Sequence, residues 1–189
     1  MDNRDQWPLS SLRVRNREVC EQFVDSHYAS VYRWFLWMTN DAEHAGDLTQ
    51  ETFLAFWASL SAADGNAPGK LWLLSVGRNV WRNTCRARRR SVAVRASELA
   101  RVAIQSDRSD NPLATSLRSE CLADVRCAVA ALEPDYREAV ALRYWEDLSY
   151  AEISRVLEIT EELARWRVFQ GRRMLRERLK HWAEGVDSK

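Results

Sequence analysis

Residues Ser149–Trp182 read S-Y-A-E-I-S-R-V-L-E-I-T-E-E-L-A-R-W-R-V-F-Q-G-R-R-M-L-R-E-R-L-K-H-W, and this stretch decides the fold of the C-terminal part of the chain. Ser149 with Glu152 spells a capping box, and Ile153, Val156 and Leu157 form the apolar stripe of a short helix behind it. Glu158 and Ile159 are the connection, and Thr160 is placed to cap a second helix. That helix carries Ala164, Val168, Gly171, Leu175, Leu179 and Trp182 on one side, at spacings of three and four. Its other side carries Arg165, Trp166, Phe169, Arg172, Arg173 and Arg176. A capped helix, a tight turn and a basic amphipathic helix make a helix-turn-helix. The apolar side docks on the protein, and the cationic side suits the phosphates bordering a DNA major groove. The plainer alternative is a solvated Arg-rich face.

Working outward, helical periodicity runs from about Glu120 to Trp182, and Pro134 is compatible with it as the opening residue of a helix. Upstream, residues 93–118 lose clear periodicity, and S-D-R-S-D-N-P at Ser106–Pro112 reads as a linker. From Cys20 to about Arg90 the pattern is again helical and rich in aromatics. Phe23, Tyr28, Val31, Tyr32, Phe35 and Leu36 give one amphipathic helix; Phe53, Phe56, Trp57 and Leu60 stripe a second, from about Asp41 to Leu60. Ser61–Lys70 is a loop by its Gly, Pro, Asn and Asp content, and a third helix runs from near Leu71 to about Arg90. The expected fold is all-α: two small helical domains joined by a flexible linker. The boundaries fall at a loose tail over 1–18, a first domain over 19–92, the linker over 93–118, a second domain over 119–183 and a tail over 184–189.

The chain has 189 residues, 46% hydrophobic and 29% charged, enough to bury a core. Its formal charge of +1 hides strong segregation. Lys70–Ser97 contains no acidic residue and many arginines, whereas Asp41–Glu51 is acidic without Lys or Arg. Such segregation favours one anionic partner and another, cationic one. Cys20, Cys85, Cys121 and Cys127 form no C-x-x-C pair and the three histidines lie at unrelated spacings, which argues against zinc; no metal and no cofactor are expected. Neither a signal peptide nor an apolar run long enough to span a bilayer is read, so a cytoplasmic protein with no membrane insertion of its own is expected.

Glu43, Asp47, Gln50 and Glu51 stand at i, i+4, i+7 and i+8 on the second helix, one polar face opposite Phe53 and Trp57. Without accompanying His, Cys or a Gly-rich turn, a protein-docking surface fits them better than acid-base chemistry or a metal. On the third helix, Arg78/Arg82 and Asn79/Asn83 are pairs one turn apart, the side-chain types that read base edges by paired hydrogen bonds. Trp72 and Trp81 read first as core and second as platforms for an unpaired base. The arginines of Arg86–Arg90 suit phosphates.

In this order the segments resemble the extracytoplasmic-function (ECF) sigma factors of bacterial RNA polymerase, built from sigma domains two and four. D-L-T-Q-E-T-F-L-A-F-W (Asp47–Trp57) is similar to the family's polymerase-binding helix, and W-L-L-S-V-G-R-N-V-W-R-N (Trp72–Asn83) to its promoter −10 helix. L-E-P-D-Y-R-E-A-V-A-L-R-Y-W-E-D-L-S-Y-A-E-I-S (Leu132–Ser154) is similar to the helices leading into its −35 helix-turn-helix. The resemblance covers nearly all of residues 20–182.

It implies a non-enzymatic subunit that binds core RNA polymerase, directs it to promoter DNA and helps melt it. Asp47, Gln50 and Glu51, with Glu43, would meet the polymerase clamp helices. Arg78, Asn79, Arg82, Asn83 and Arg86, with the Gly65–Lys70 loop, would hold unstacked −10 bases. Thr160, Arg165, Trp166 and Phe169 would sit at the −35 major groove, with Arg167, Arg172 and Arg173 on phosphates. A cognate anti-sigma factor is a further implied partner. The chain departs from the family pattern at Asn83, where an Asp is usual, and at Gly46, usually acidic. Glu158 and Glu162 replace glycines, and Trp166 replaces a small residue; its indole can meet a thymine methyl or a sugar, or hold the helix off the groove. The alternative function is a helix-turn-helix regulator acting without being a polymerase subunit, which leaves the acidic face and the Arg78–Arg90 helix without a role.

Overall fold

The computed structural model describes residues 7–13, 16–61, 67–98 and 117–180, and these are helical with short connections. In chain order the elements are α1 (Leu9–Arg13), α2 (Arg17–Thr39), α3 (Ala42–Ser59), α4 (Gly69–Glu98), α5 (Leu117–Ala130), α6 (Pro134–Tyr144), α7 (Tyr150–Leu157) and α8 (Glu161–Arg178). The all-α expectation with two helical groups holds. The linker falls mostly on 99–116, outside the described residues, as do the tails 1–6 and 181–189, residues 62–66 of the loop before α4, and the side chains of Arg88 and Arg89.

The first group packs α2, α3 and α4 around a core of aromatic side chains. Asn16 caps α2 by accepting from the Glu18 amide at 2.9 Å, and Asp41 caps α3 by accepting from that of His44 at 3.0 Å. Between them Asn40 ends α2 in the left-handed region at φ 55°, a conformation Asn adopts more readily than most residues. Phe23 stacks on Phe56 with ring centroids 5.1 Å apart, and Trp34, Phe35 and Leu73 are fully buried beside them. Gly77 lets α4 lie close on this layer: a Cβ there would stand 2.8 Å from the Trp34 ring.

Residues 7–13 depart from the loose tail expected over 1–18. Leu9 and Leu12 are fully buried, and Gly69 donates its N–H to the Trp7 carbonyl at 2.9 Å while Leu9 donates to Ala67 at 3.2 Å. The segment thus fastens the start of α4, which explains its order: two buried leucines outweigh its polar neighbours. At the other end α4 continues to Glu98, past the expected boundary at 92, and α5 starts at Leu117.

The second group is built on α6 and α8. Pro134 stands in the first turn of α6, where its missing N–H costs nothing. Ala164, Val168 and Gly171 of α8 are buried against α6, and Gly171 sits so near that a Cβ would be 2.5 Å from Val140 Cγ2. The helix-turn-helix forms as expected. The Ser149–Glu152 capping box is reciprocal, Thr160 accepts from the Leu163 amide at 3.2 Å, and Glu158 takes the left-handed turn position at φ 53°. A non-glycine residue there costs about 1–2 kcal/mol of backbone strain, so Glu158 needs a reason of its own.

Two glycine substitutions separate packing from propensity. Gly171→Ala forces an overlap with Val140 and should destabilise the fold by about 1–3 kcal/mol in urea denaturation. Gly46→Ala, inside α3 with nothing within 4 Å of the new Cβ, should stabilise it by about 0.5–1 kcal/mol.

Candidate nucleic-acid interface

Three surfaces carry the residues singled out above. On α3, Glu43, Asp47, Gln50 and Glu51 are all exposed, opposite the buried Ala45, Leu48, Thr52 and Phe56. The helix thus presents one continuous acidic face. On α4, Asn79, Arg82, Asn83 and Arg86 are exposed, whereas Arg78 is 5% exposed. Trp81 is buried as core, and Trp72 is half-buried, donating its indole N–H to Ser59 Oγ at 3.1 Å.

On α8, Thr160 stands at the N-cap, and Arg165, Trp166, Phe169, Arg172 and Arg173 are exposed while Arg167 is half-buried. Arg165 pairs with Glu161 at 3.0 Å and lies over the Tyr150 ring at 5.0 Å; Arg167 pairs with Asp135 of α6 at 2.6 Å. The Trp166 ring leans on Tyr136 at a centroid distance of 5.7 Å.

Sequence reasoning did not foresee where Arg78 points. Its guanidinium crosses from α4 to the helix-turn-helix group. Nε lies 3.5 Å from Glu138 Oε2 on α6, and Nη1 lies 3.7 Å from Glu158 Oε2 and donates to the Val156 carbonyl at 3.4 Å. Burial pushes the Glu138 carboxyl above the usual carboxylate range, which Arg78 and Arg82 oppose. Asp135 pushes it the same way as burial does.

A second set of contacts ties the two groups together. Glu146, 3% exposed, accepts from Ser30 Oγ at 2.6 Å and pairs with Lys70 at 3.0 Å. Arg137 of α6 donates to the Met38 carbonyl at 2.7 Å, and Trp37 packs on Trp145 with centroids 4.2 Å apart. Glu138 gave one signal, an acidic residue directly before the apolar run Ala139–Leu142, but a single sequence cannot say which distant cation answers it. Beside this seam a groove of about 790 Å³ opens between α3, α4 and α7, with Glu51, Trp72, Asn79, Asn83, Arg155 and Glu158 on its walls.

Residues 23–91 match the model for Sigma-70 region 2, and residues 122–175 match that for Sigma-70 region 4. These spans contain the acidic and basic helices and the helix-turn-helix respectively. The chain belongs to the ECF sigma factors. It is 32% identical over 172 residues to the ECF RNA polymerase sigma factor SigE of Mycolicibacterium smegmatis, covering 89% of this chain and 65% of that protein. Against the ECF RNA polymerase sigma factor SigM of Bacillus subtilis it is 28% identical, covering 82% of this chain and 92% of that protein. Among solved structures it is similar to the sigma factor RpoE of Bartonella quintana, in complex there with the anti-sigma factor NepR. That match has a TM-score of 0.69 at 25% identity and covers 85% of this chain and 96% of the other.

Within the sigma framework, region 2 and region 4 lie against one another, with Arg78 of α4 enclosed by region 4. No described helix is long and apolar enough to cross a membrane, and no group of metal-ligating side chains occurs among the described residues.

The seam makes two predictions. Arg78→Ala leaves Glu138 buried without its cation and should cost the closed arrangement about 3–5 kcal/mol, read as expansion in small-angle scattering. The paired change Arg78→Met with Glu138→Leu should keep it compact. The second concerns pH. A carboxyl whose pKa is raised on folding binds more protons folded than unfolded, so its contribution is complete below the ordinary value of 4.5. That contribution declines as pH rises through the raised value; Glu138→Gln should flatten this part of the stability profile.

Proposed function

We propose that this chain is a promoter-recognition subunit that binds core RNA polymerase, directs it to particular promoters and assists their melting, without catalysing a reaction itself. The observation that carries the reading is the presence of both sigma regions on one chain, each with a surface of the required sign: acidic on α3, cationic on α4 and α8. In the proposed assembly Asp47, Gln50, Glu51 and Glu43 meet the polymerase. Asn79, Arg82, Asn83 and Arg86 line the path of the −10 strand, and the exposed face of α8 enters the −35 groove. The protein acts in the cytoplasm. Domain two, expected over 19–92, takes in the α1 segment and the whole of α4, and domain four, expected over 119–183, starts with α5 at Leu117. A regulator working without polymerase leaves the region 2 half unused and is not favoured.

The closed seam supports a switching step. Centres of −10 and −35 elements lie about 85 Å apart along B-form DNA, at ~3.4 Å per base pair. Two regions in contact cannot span that distance, so promoter binding requires them to part. Residues 99–116 can reach up to about 60 Å when extended, at ~3.4 Å each, which with the width of the two regions covers the gap. Parting also releases Arg78 to the −10 DNA. An anti-sigma factor, of the kind bound to RpoE in the RpoE–NepR complex, is a further proposed partner of this chain.

Co-elution with purified core polymerase and run-off transcription from a promoter library test the reading. The wild-type chain should form a complex and start transcripts that core alone does not. Asp47→Lys with Glu51→Lys should weaken core binding by at least about tenfold while preserving the helical circular dichroism spectrum, because like charges would then face each other across the interface. Unchanged core affinity would remove the α3 assignment.

A further inference from the structure

The outward face of α8 has an unusual makeup. Glu162, Trp166, Phe169 and Arg173 follow at i, i+4, i+7 and i+11, one line directly opposite the buried Ala164, Val168 and Gly171. Two of these four are large aromatics, Trp166 at 47% and Phe169 at 54% exposed. Most other rings in the described residues are buried or half-buried; Tyr28 and Tyr144 are the other exposed ones, and neither is on α8. Trp166 is held in place by its contact with Tyr136, so its exposed edge has a set direction.

The two arginines in the N-terminal half of the helix have partners within the protein, Arg165 in an exposed pair and Arg167 in a half-buried one. Arg165 is drawn sideways to Glu161 and the Tyr150 ring, and Arg167 is drawn back to Asp135. The remaining exposed arginines, Arg172, Arg173 and Arg176, lie in the C-terminal half of the helix, whereas in a helix-turn-helix the N-terminal turns approach the base edges. At the depth where bases are read, the helix therefore offers two apolar rings behind the acidic Glu161 and Glu162.

One base presents an apolar group in the major groove: thymine, through its C5 methyl. We propose that Trp166 and Phe169 are specificity-determining residues that read thymine methyl groups in the −35 element, in place of arginine–guanine hydrogen bonds. The proposal rests on the sigma reading above and adds the chemistry of its −35 code. Arg172, Arg173 and Arg176 contribute affinity through phosphates with no preference for sequence. Glu162 disfavours close approach by phosphate and restricts the contact to the groove floor.

The test uses holoenzyme, this chain assembled with core polymerase, on a duplex library randomised upstream of a fixed −10 region. The library is amplified either with thymine or with deoxyuridine, which keeps every hydrogen-bonding group and lacks the methyl. Wild-type holoenzyme should enrich sequences with thymine at one or two fixed positions. Its affinity for an enriched duplex should fall roughly fourfold per methyl removed by deoxyuridine. Trp166→Ala and Phe169→Ala, made separately so that loss of the Tyr136 contact affects only one, should each lose thymine preference at one position and become indifferent to deoxyuridine there. Upstream selectivity that is unaffected by deoxyuridine, or a thymine preference that survives both variants, overturns the proposal while leaving the sigma reading intact. Failure to form holoenzyme at all overturns the sigma reading and this proposal with it.

Discussion

The arrangement of the molecule turns on one buried guanidinium. Arg78 leaves α4 at a position where its neighbours Asn79, Arg82 and Asn83 face outward, and it enters a site formed by Glu138, Glu158 and the Val156 carbonyl. Removing a charge from water costs several kcal/mol, and the partners offset this only while all of them stay in place. The ion pair is therefore a poor source of net stability and a good source of register. It holds α4 of region 2 against the helix-turn-helix of region 4 in one orientation, with Lys70, Glu146 and Ser30 as a second fixed point.

Glu158, the residue that fits the turn worst, also faces this site. A glycine would take the left-handed conformation without strain, yet would offer no carboxylate to Arg78. The side chain is 72% exposed and its contact long, so its direct contribution is small next to that of Glu138. Its position nevertheless couples the turn of the DNA-reading motif to the seam. The same economy appears on α8, where Arg167 reaches back to Asp135 and fixes the recognition helix on α6 beneath the aromatic face.

Much of this architecture was legible in the sequence, for local reasons. Capping residues at Ser149 and Thr160 and apolar spacing along 153–175 are sufficient to specify the helix-turn-helix, because the signals lie within a few residues of their effects. The acidic face of α3 was legible for the same reason. What could not be read is non-local. That Arg78 turns inward while Asn79, Arg82 and Asn83 face outward depends on an acidic partner sixty residues away. The burial of Leu9 and Leu12 depends on a shelf made by the start of α4. Glu146 looks like one more surface acid until Ser30 and Lys70 are brought beside it. Two outcomes bear on the proposed code: Trp166 and Phe169 are exposed as the pattern implied, while Arg165 and Arg167 are engaged within the protein.

The two regions are folded against one another in the free chain, and the proposed function requires them to part when the polymerase engages a promoter. Energy transfer between dyes at Ala58 on α3 and Ala151 on α7, both exposed positions, measures this directly. Transfer should be high in the free chain, and the separation should lengthen on the order of 30 Å or more in the promoter complex with core polymerase, given the ~3.4 Å rise per base pair between the two elements. The same separation in both states would contradict this parting.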